Sequence, residues 1–128
     1  MRPPLPRPPF GLHTRIEVVR VIDGDTLEVQ GQILREPFRV RLLNVDAPEL
    51  RSDDPQERVR AVRALDLVRR LVMKRKDLSL FIPLPEGNSG LLDAIGVFRR
   101  VLGHVYLDEQ TLLSDELVRE GVARWSSR

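Results

Sequence analysis

Three observations in the sequence predict a mainly β domain with helices, of the α+β class, built as a five-stranded Greek-key barrel of the OB type. Five short segments have strand composition. They occur in the order βββαββα, with one long and one short helical segment. The 128 residues, 41% of them hydrophobic, supply one core and leave no room for a second domain.

The elements follow in chain order. Residues 1–12 read as a Pro/Arg-rich flexible tail, because five prolines between Met1 and Gly11 bias the backbone to extended conformations without ladder hydrogen bonds. The domain is expected to span 13–128. Thr14 to Ile22 is the first strand, with Ile16, Val18 and Val21 on one side, and the doublet Val18-Val19 predicts a strand that is bent or buried on both faces. Asp23-Gly24-Asp25 makes a turn, Thr26 to Val29 the second strand, and Gly31 marks a hairpin. From Phe38 to Val45 the third strand places Phe38, Val40 and Leu42 on the core face and Arg39 and Arg41 on the other. Asp54 as N-cap, Pro55 at the first helical position and Glu57 in a capping box then start a helix running to about Met73. Its apolar stripe is expected to be Val59, Val62, Leu65, Val68, Leu71 and Val72. Leu78 to Ile82 is the fourth strand, and Pro83 to Val97 a long connection. Phe98 to Leu107 is the fifth strand. Leu112 to about Glu120 is the short helix, capped by Ser114 and stopped by Gly121.

Composition narrows the chemistry. The chain has no cysteine, which excludes disulfides, zinc–thiolate sites and a thiol nucleophile. Any cation site must therefore use oxygen or histidine ligands, and with only His13 and His104, one of them in the tail, a histidine-based site is not expected. A net charge of +2 is compatible with a polyanionic substrate. No run approaches the ~18 apolar residues needed to cross a bilayer, so no membrane association is expected. The chain as written carries no export signal, which points to the cytoplasm, whereas a trimmed precursor would be secreted.

If the second and third strands pair as an antiparallel hairpin, the acidic turns Asp23-Gly24-Asp25-Thr26 and Asp46-Ala47-Pro48-Glu49 meet at one sheet end. Asp25, Asp46 and the backbone carbonyl of Ala47 would then offer oxygens to Ca2+, a hard cation suited to such ligands. Glu49 is placed to act as general base on a water, and Arg41 and Arg100 to grip a phosphate with planar donor forks. This set describes a metal-dependent phosphodiesterase. Each residue alone has a plainer reading: Asp-Gly is common in turns, and a strand arginine is usually just solvated. It is their joint occurrence that carries weight.

Four stretches resemble the staphylococcal nuclease (thermonuclease) family in order. They are Val21-Ile22-Asp23-Gly24-Asp25-Thr26, Arg41-Leu42-Leu43-Asn44-Val45-Asp46-Ala47-Pro48-Glu49, Phe98-Arg99-Arg100-Val101-Leu102 and Ser114 to Ala123. The resemblance implies an OB-fold barrel carrying packed helices, and calcium-dependent endonuclease hydrolysis of DNA and RNA with little base preference, leaving 3′-phosphates. It matches Asp25 and Asp46 to the calcium carboxylates, Ala47 to the carbonyl ligand, Glu49 to the general base, and Arg41 and Arg100 to the phosphate-binding arginines. Departures occur too. Arg99 stands where the family has glycine, and Val97 and Phe98 stand where it often has a lysine and a tyrosine, so Phe98 and Arg99 become the candidate substrate contacts. The family's final helix and its base-stacking tyrosines have no counterpart, and the face that helix would cover is expected to be exposed or covered by a second copy of the chain. The alternative is a non-catalytic OB module that holds single-stranded nucleic acid. That alternative suits poorly a chain with 5% aromatic residues.

Overall fold

The computed structural model of the chain describes residues 11–32, 34–83 and 100–126. Residues 1–10, Phe98, Arg99 and most of the long connection lie outside them, as does the side chain of Arg100.

Seven strands and two helices are described: β1 (Gly11–Asp23), β2 (Thr26–Gly31), β3 (Phe38–Leu42), β4 (Val45–Asp46), α1 (Pro55–Val72), β5 (Ser79–Pro83), β6 (Arg100–Tyr106), α2 (Leu113–Arg119) and β7 (Arg124–Trp125). Five strands close into a barrel in the order β1-β2-β3-β6-β5, with β3 and β6 parallel and the other pairs antiparallel. This is the α+β, OB-type barrel that the sequence predicts. Closure removes exposed strand edges and forces each strand to alternate between the barrel interior and the outside. Phe38, Val40 and Leu42 are buried inside as expected, joined by Leu27, Val29, Leu80, Val101 and Val105.

β1 runs longer than the expected Thr14–Ile22, beginning at Gly11, because its first five residues pair with β5 and its later ones with β2. The register slips between Val18 and Arg20. The doublet Val18-Val19 therefore lies at an irregularity within the β1–β2 pairing, a few residues after β1 changes partner from β5 to β2, and Val19 is exposed.

The helices correct three expectations. The α1 N-terminus is capped by Asp54, whose carboxylate accepts from the Gln56 amide at 2.9 Å, with Pro55 following as predicted. No capping box forms, however. The Asp54 amide donates to Ser52 Oγ at 3.1 Å, and Glu57 turns elsewhere. The buried face of α1 is Ala61, Ala64, Val68 and Val72, whereas Val59 and Val62 are 63% and 48% exposed. The reason is clearance. A Cβ on Gly24 would stand 2.9 Å from Ala64 Cβ and 2.7 Å from Ala47 Cβ, so the helix meets the Asp23–Asp25 turn too closely for a branched side chain. Finally, Ser114 does not cap α2. It lies inside the helix, buried, with Oγ lacking a hydrogen-bond partner among the described residues, and Leu112 holds the cap position. Gly121, at φ 75°, ends α2 as expected and turns the chain towards β4.

Candidate active site

Two turns and a short ribbon build the site. The Asp23–Asp25 turn joins β1 to β2. Pairing of Thr26 with Arg41 brings that turn to the end of β3, and the Leu42 amide donates to the Asp25 carbonyl at 2.9 Å. After β3 the chain reverses through Asn44, whose φ of 68° is a left-handed value that asparagine tolerates better than most residues. β4 then pairs with β7, Val45 opposite Trp125 and Asp46 opposite Arg124, and the Ser126 amide donates to the Asn44 carbonyl at 2.7 Å. Asp46 thus stands on a strand rather than in a free loop.

Arg41 ties these pieces together. It points out of the barrel, as alternation requires, yet it is only 9% exposed because the 43–47 segment folds over it. Its Nη1 donates to the carbonyls of Leu42 at 2.6 Å and Val45 at 2.8 Å. Its Nη2 donates to Asp46 Oδ1 at 2.5 Å and lies 3.4 Å from Asp25 Oδ2. The two carboxylates therefore converge on one guanidinium nitrogen. Asp25 also accepts from the Ala47 amide at 2.9 Å and from Thr26 Oγ1 at 3.1 Å.

The Asp25 carboxyl is pushed up to about 6, first by burial and then by a hydrogen bond and charge repulsion from Asp23, against the lowering influence of the Ala47 amide and Arg41. Even beside a guanidinium, the ionised form lacks enough positive charge around it. A hard divalent cation fits that deficit and the all-oxygen donor set. Among the described residues no cluster of three or more acidic or histidine side chains gathers as a ligand set. Among the described residues, Asp25 and Asp46 are the carboxylates that meet at Arg41, and an ion held there would need carbonyl, water and substrate oxygens as well.

Glu49 is exposed at the rim, three residues beyond Asp46. Its amide donates to Glu57 Oε2 at 3.0 Å, while Ser52 Oγ donates to Glu57 Oε1 at 3.0 Å. Those two hydrogen bonds hold the Glu57 carboxyl below the usual carboxylate range, the Glu49 amide contributing most. The β3–β6 register sets the Arg100 backbone beside Arg39.

A groove of about 920 Å³ contains Asp25, Asp46, Ala47 and Glu49, with Arg41 in its wall. It also contains four arginines that sequence reasoning did not single out, Arg20, Arg39, Arg51 and Arg124. Arg39 was within reach of such reasoning, since it alternates with Arg41 on one strand face. The positions of Arg51 and Arg124 depend on the loop path and the β4–β7 ribbon, which leave no periodic trace.

Comparison with known proteins gives the family. Residues 39–128 match the family model described as staphylococcal nuclease homologue. The chain belongs to that family. The matched region takes in Arg41, Asp46 and Glu49, while the Asp25 turn precedes it. An uncharacterized endonuclease of Escherichia coli is 30% identical over 106 residues, 83% of this chain and 57% of that protein, and a counterpart in Escherichia coli O157:H7 matches to the same extent. Protein ParB of Escherichia coli is 38% identical over 69 residues, 54% of this chain and 38% of that protein. The chain thus spans about two-fifths to three-fifths of the length of these relatives.

Proposed function

We propose that the chain is a calcium-dependent nuclease that hydrolyses phosphodiester bonds of DNA or RNA with little base preference. The observation that carries this reading is the convergence of Asp25 and Asp46 on Arg41 in an arginine-lined groove that also holds Glu49. Asp25, Asp46 and the Ala47 carbonyl would hold the ion. When bound, it polarises a phosphoryl oxygen and offsets charge that grows in the transition state.

The chain's own residues do the remainder. Arg41 fixes both carboxylates and lends its positive charge to the phosphate, and Arg100, on the strand that pairs with β3, is assigned to bind the phosphate as negative charge accumulates on its equatorial oxygens. Arg39, Arg51 and Arg124 hold the flanking polyanion in place. Glu49 accepts a proton from a water whose oxygen attacks phosphorus. The P–O5′ bond breaks opposite, leaving a 3′-phosphate and a 5′ oxygen that takes up a proton. Phe98 and Arg99 are candidate substrate contacts.

The test is cleavage of single- and double-stranded DNA and of RNA by the purified chain, with calcium and with a chelator, beside Glu49→Gln. Glu49 is exposed, so the variant folds, and cleavage should fall by ~10²-fold, as for a lost positioned base. Calcium-independent cutting, or a Glu49→Gln variant as fast as wild type, would refute the assignment. Binding without cutting in any condition would favour the non-catalytic OB module.

A further inference from the structure

A second cavity, of about 310 Å³, is lined by the Asp46–Pro48 segment, by Glu57 and Arg60 of α1 and by the chain that follows α2. Ala47, Pro48, Val122 and Ala123 give its lining an apolar part, and Arg60 and Arg124, both exposed, line it as well. Asp46, Ala47, Pro48, Glu57 and Arg124 also line the active-site groove, so the two hollows share one wall and Arg124 borders both. The β4–β7 ribbon sets Arg124 opposite Asp46. A strand whose phosphate lies at Asp46 therefore has Arg124 and the second cavity next to it.

We infer that this cavity is a nucleotide subsite, taking the base next to the scissile phosphate of a single strand, with Arg124 on the connecting phosphate and Arg60 over the base. The inference rests on the nuclease reading for its placement of the scissile bond. The chemistry favours a base over a second phosphate here. The apolar part of the lining suits the face of a planar ring, and Glu57 and Asp46 in the same lining repel an anion. Guanidinium planes stack on bases irrespective of sequence, which fits a chain whose sole tryptophan, Trp125, lines neither hollow. Arg60 is exposed on α1, as are other arginines of that helix, but it alone among them borders the cavity.

Binding of a labelled ten-residue oligothymidylate in chelator tests the subsite. A ten-residue abasic strand with the same phosphates serves as comparison, read for wild type, Arg60→Ala and Arg69→Ala. Arg69 is an exposed arginine of α1 away from both hollows. The expected result is that Arg60→Ala weakens the normal strand about fivefold and leaves the abasic strand unchanged, as loss of one stacked base requires. Arg69→Ala should not distinguish the two strands. Equal losses on both strands at Arg60, no loss at all, or no binding by wild type would overturn the subsite. Cleavage with calcium is read separately. Base-dependent coupling at Arg60 without cleavage would keep the subsite and remove the nuclease. Cleavage without coupling would do the reverse.

Discussion

Arg41 shows at the scale of one residue what a sequence reading can and cannot give. Alternation along β3 correctly puts it outside the barrel, and the family motif marks it as important, but neither reveals that it is buried and holds four separate oxygens. That burial comes from the 43–47 reversal, which depends on a left-handed Asn44 and on β7, a strand more than 75 positions away. Arg41→Ala is therefore expected to cost ~3 kcal/mol of stability, because it strands Asp25 and Asp46 with less than full exposure to water. Urea denaturation checks this, and an Arg41→Ala chain as stable as wild type would mean that the guanidinium does not hold the site together. A quite different residue contributes to acid behaviour. His104, opposite Phe81 across the β6–β5 pair, is half-buried with Nδ1 lacking a hydrogen-bond partner, and burial lowers its pKa below the ordinary 6.5. A depressed histidine means that the unfolded chain binds the proton more readily, so this contribution to stability is complete above pH 6.5 and is lost as pH falls through the folded value. His104→Phe should remove that part of the acid loss in a series of urea midpoints between pH 7 and 5, and an unchanged pH slope would count against it.

Among the elements, α1 departs most from local rules, and the departure falls beside the site. The sequence from Ser52 to Glu57 correctly marks the helix start, with Asp54 and Pro55 where capping chemistry places them. Glu57, which the capping-box rule would return to Asp54, instead accepts from the Glu49 amide and the Ser52 hydroxyl. Arg58 adds to the same strap by donating to the Ser52 carbonyl at 2.7 Å. A local preference set aside near a candidate catalytic residue is where function is expected to override propensity. The first turn of α1 thus positions the backbone that carries Glu49. Glu57→Ala should leave helix content unchanged, since Asp54 still caps, while speeding hydrogen exchange at the Glu49 amide and lowering kcat several-fold with KM little altered. Glu57→Gln, which keeps one good acceptor oxygen, should recover part of the rate. If kcat and amide exchange both stay at wild-type values, the strap has no part in catalysis. The rotated stripe of α1 has a similar lesson. Hydrophobicity favours Val59 and Val62 for the core, but the small Ala61 and Ala64 are what let the helix sit on the Gly24 turn, and an alanine carries little periodic signal.

On the scale of the whole molecule, the number and order of barrel strands were legible because each strand alternates and each turn carries its own residue chemistry. The parallel β3–β6 pairing and the β4–β7 ribbon were not, since both join segments distant in sequence and the ribbon strands are two residues each. These long-range pairings assemble the proposed cation site. Asp25 comes from the β1–β2 turn and Asp46 from the ribbon, and only the closed barrel holds both against Arg41. A cation that binds this arrangement binds the folded chain and not the unfolded one, so it must raise stability by mass action, by about 2.7 kcal/mol at a hundred times its dissociation constant. For a domain of this size that is a shift of several degrees in the thermal midpoint. Calcium should produce it over a chelator control. Magnesium at equal concentration should do less, because it demands a tighter octahedral shell than two carboxylates on separate elements provide. Asp46→Asn should abolish the calcium shift while keeping the barrel. A calcium shift that survives Asp46→Asn would place the ion elsewhere, and no shift in wild type at millimolar calcium would remove calcium from the proposed function.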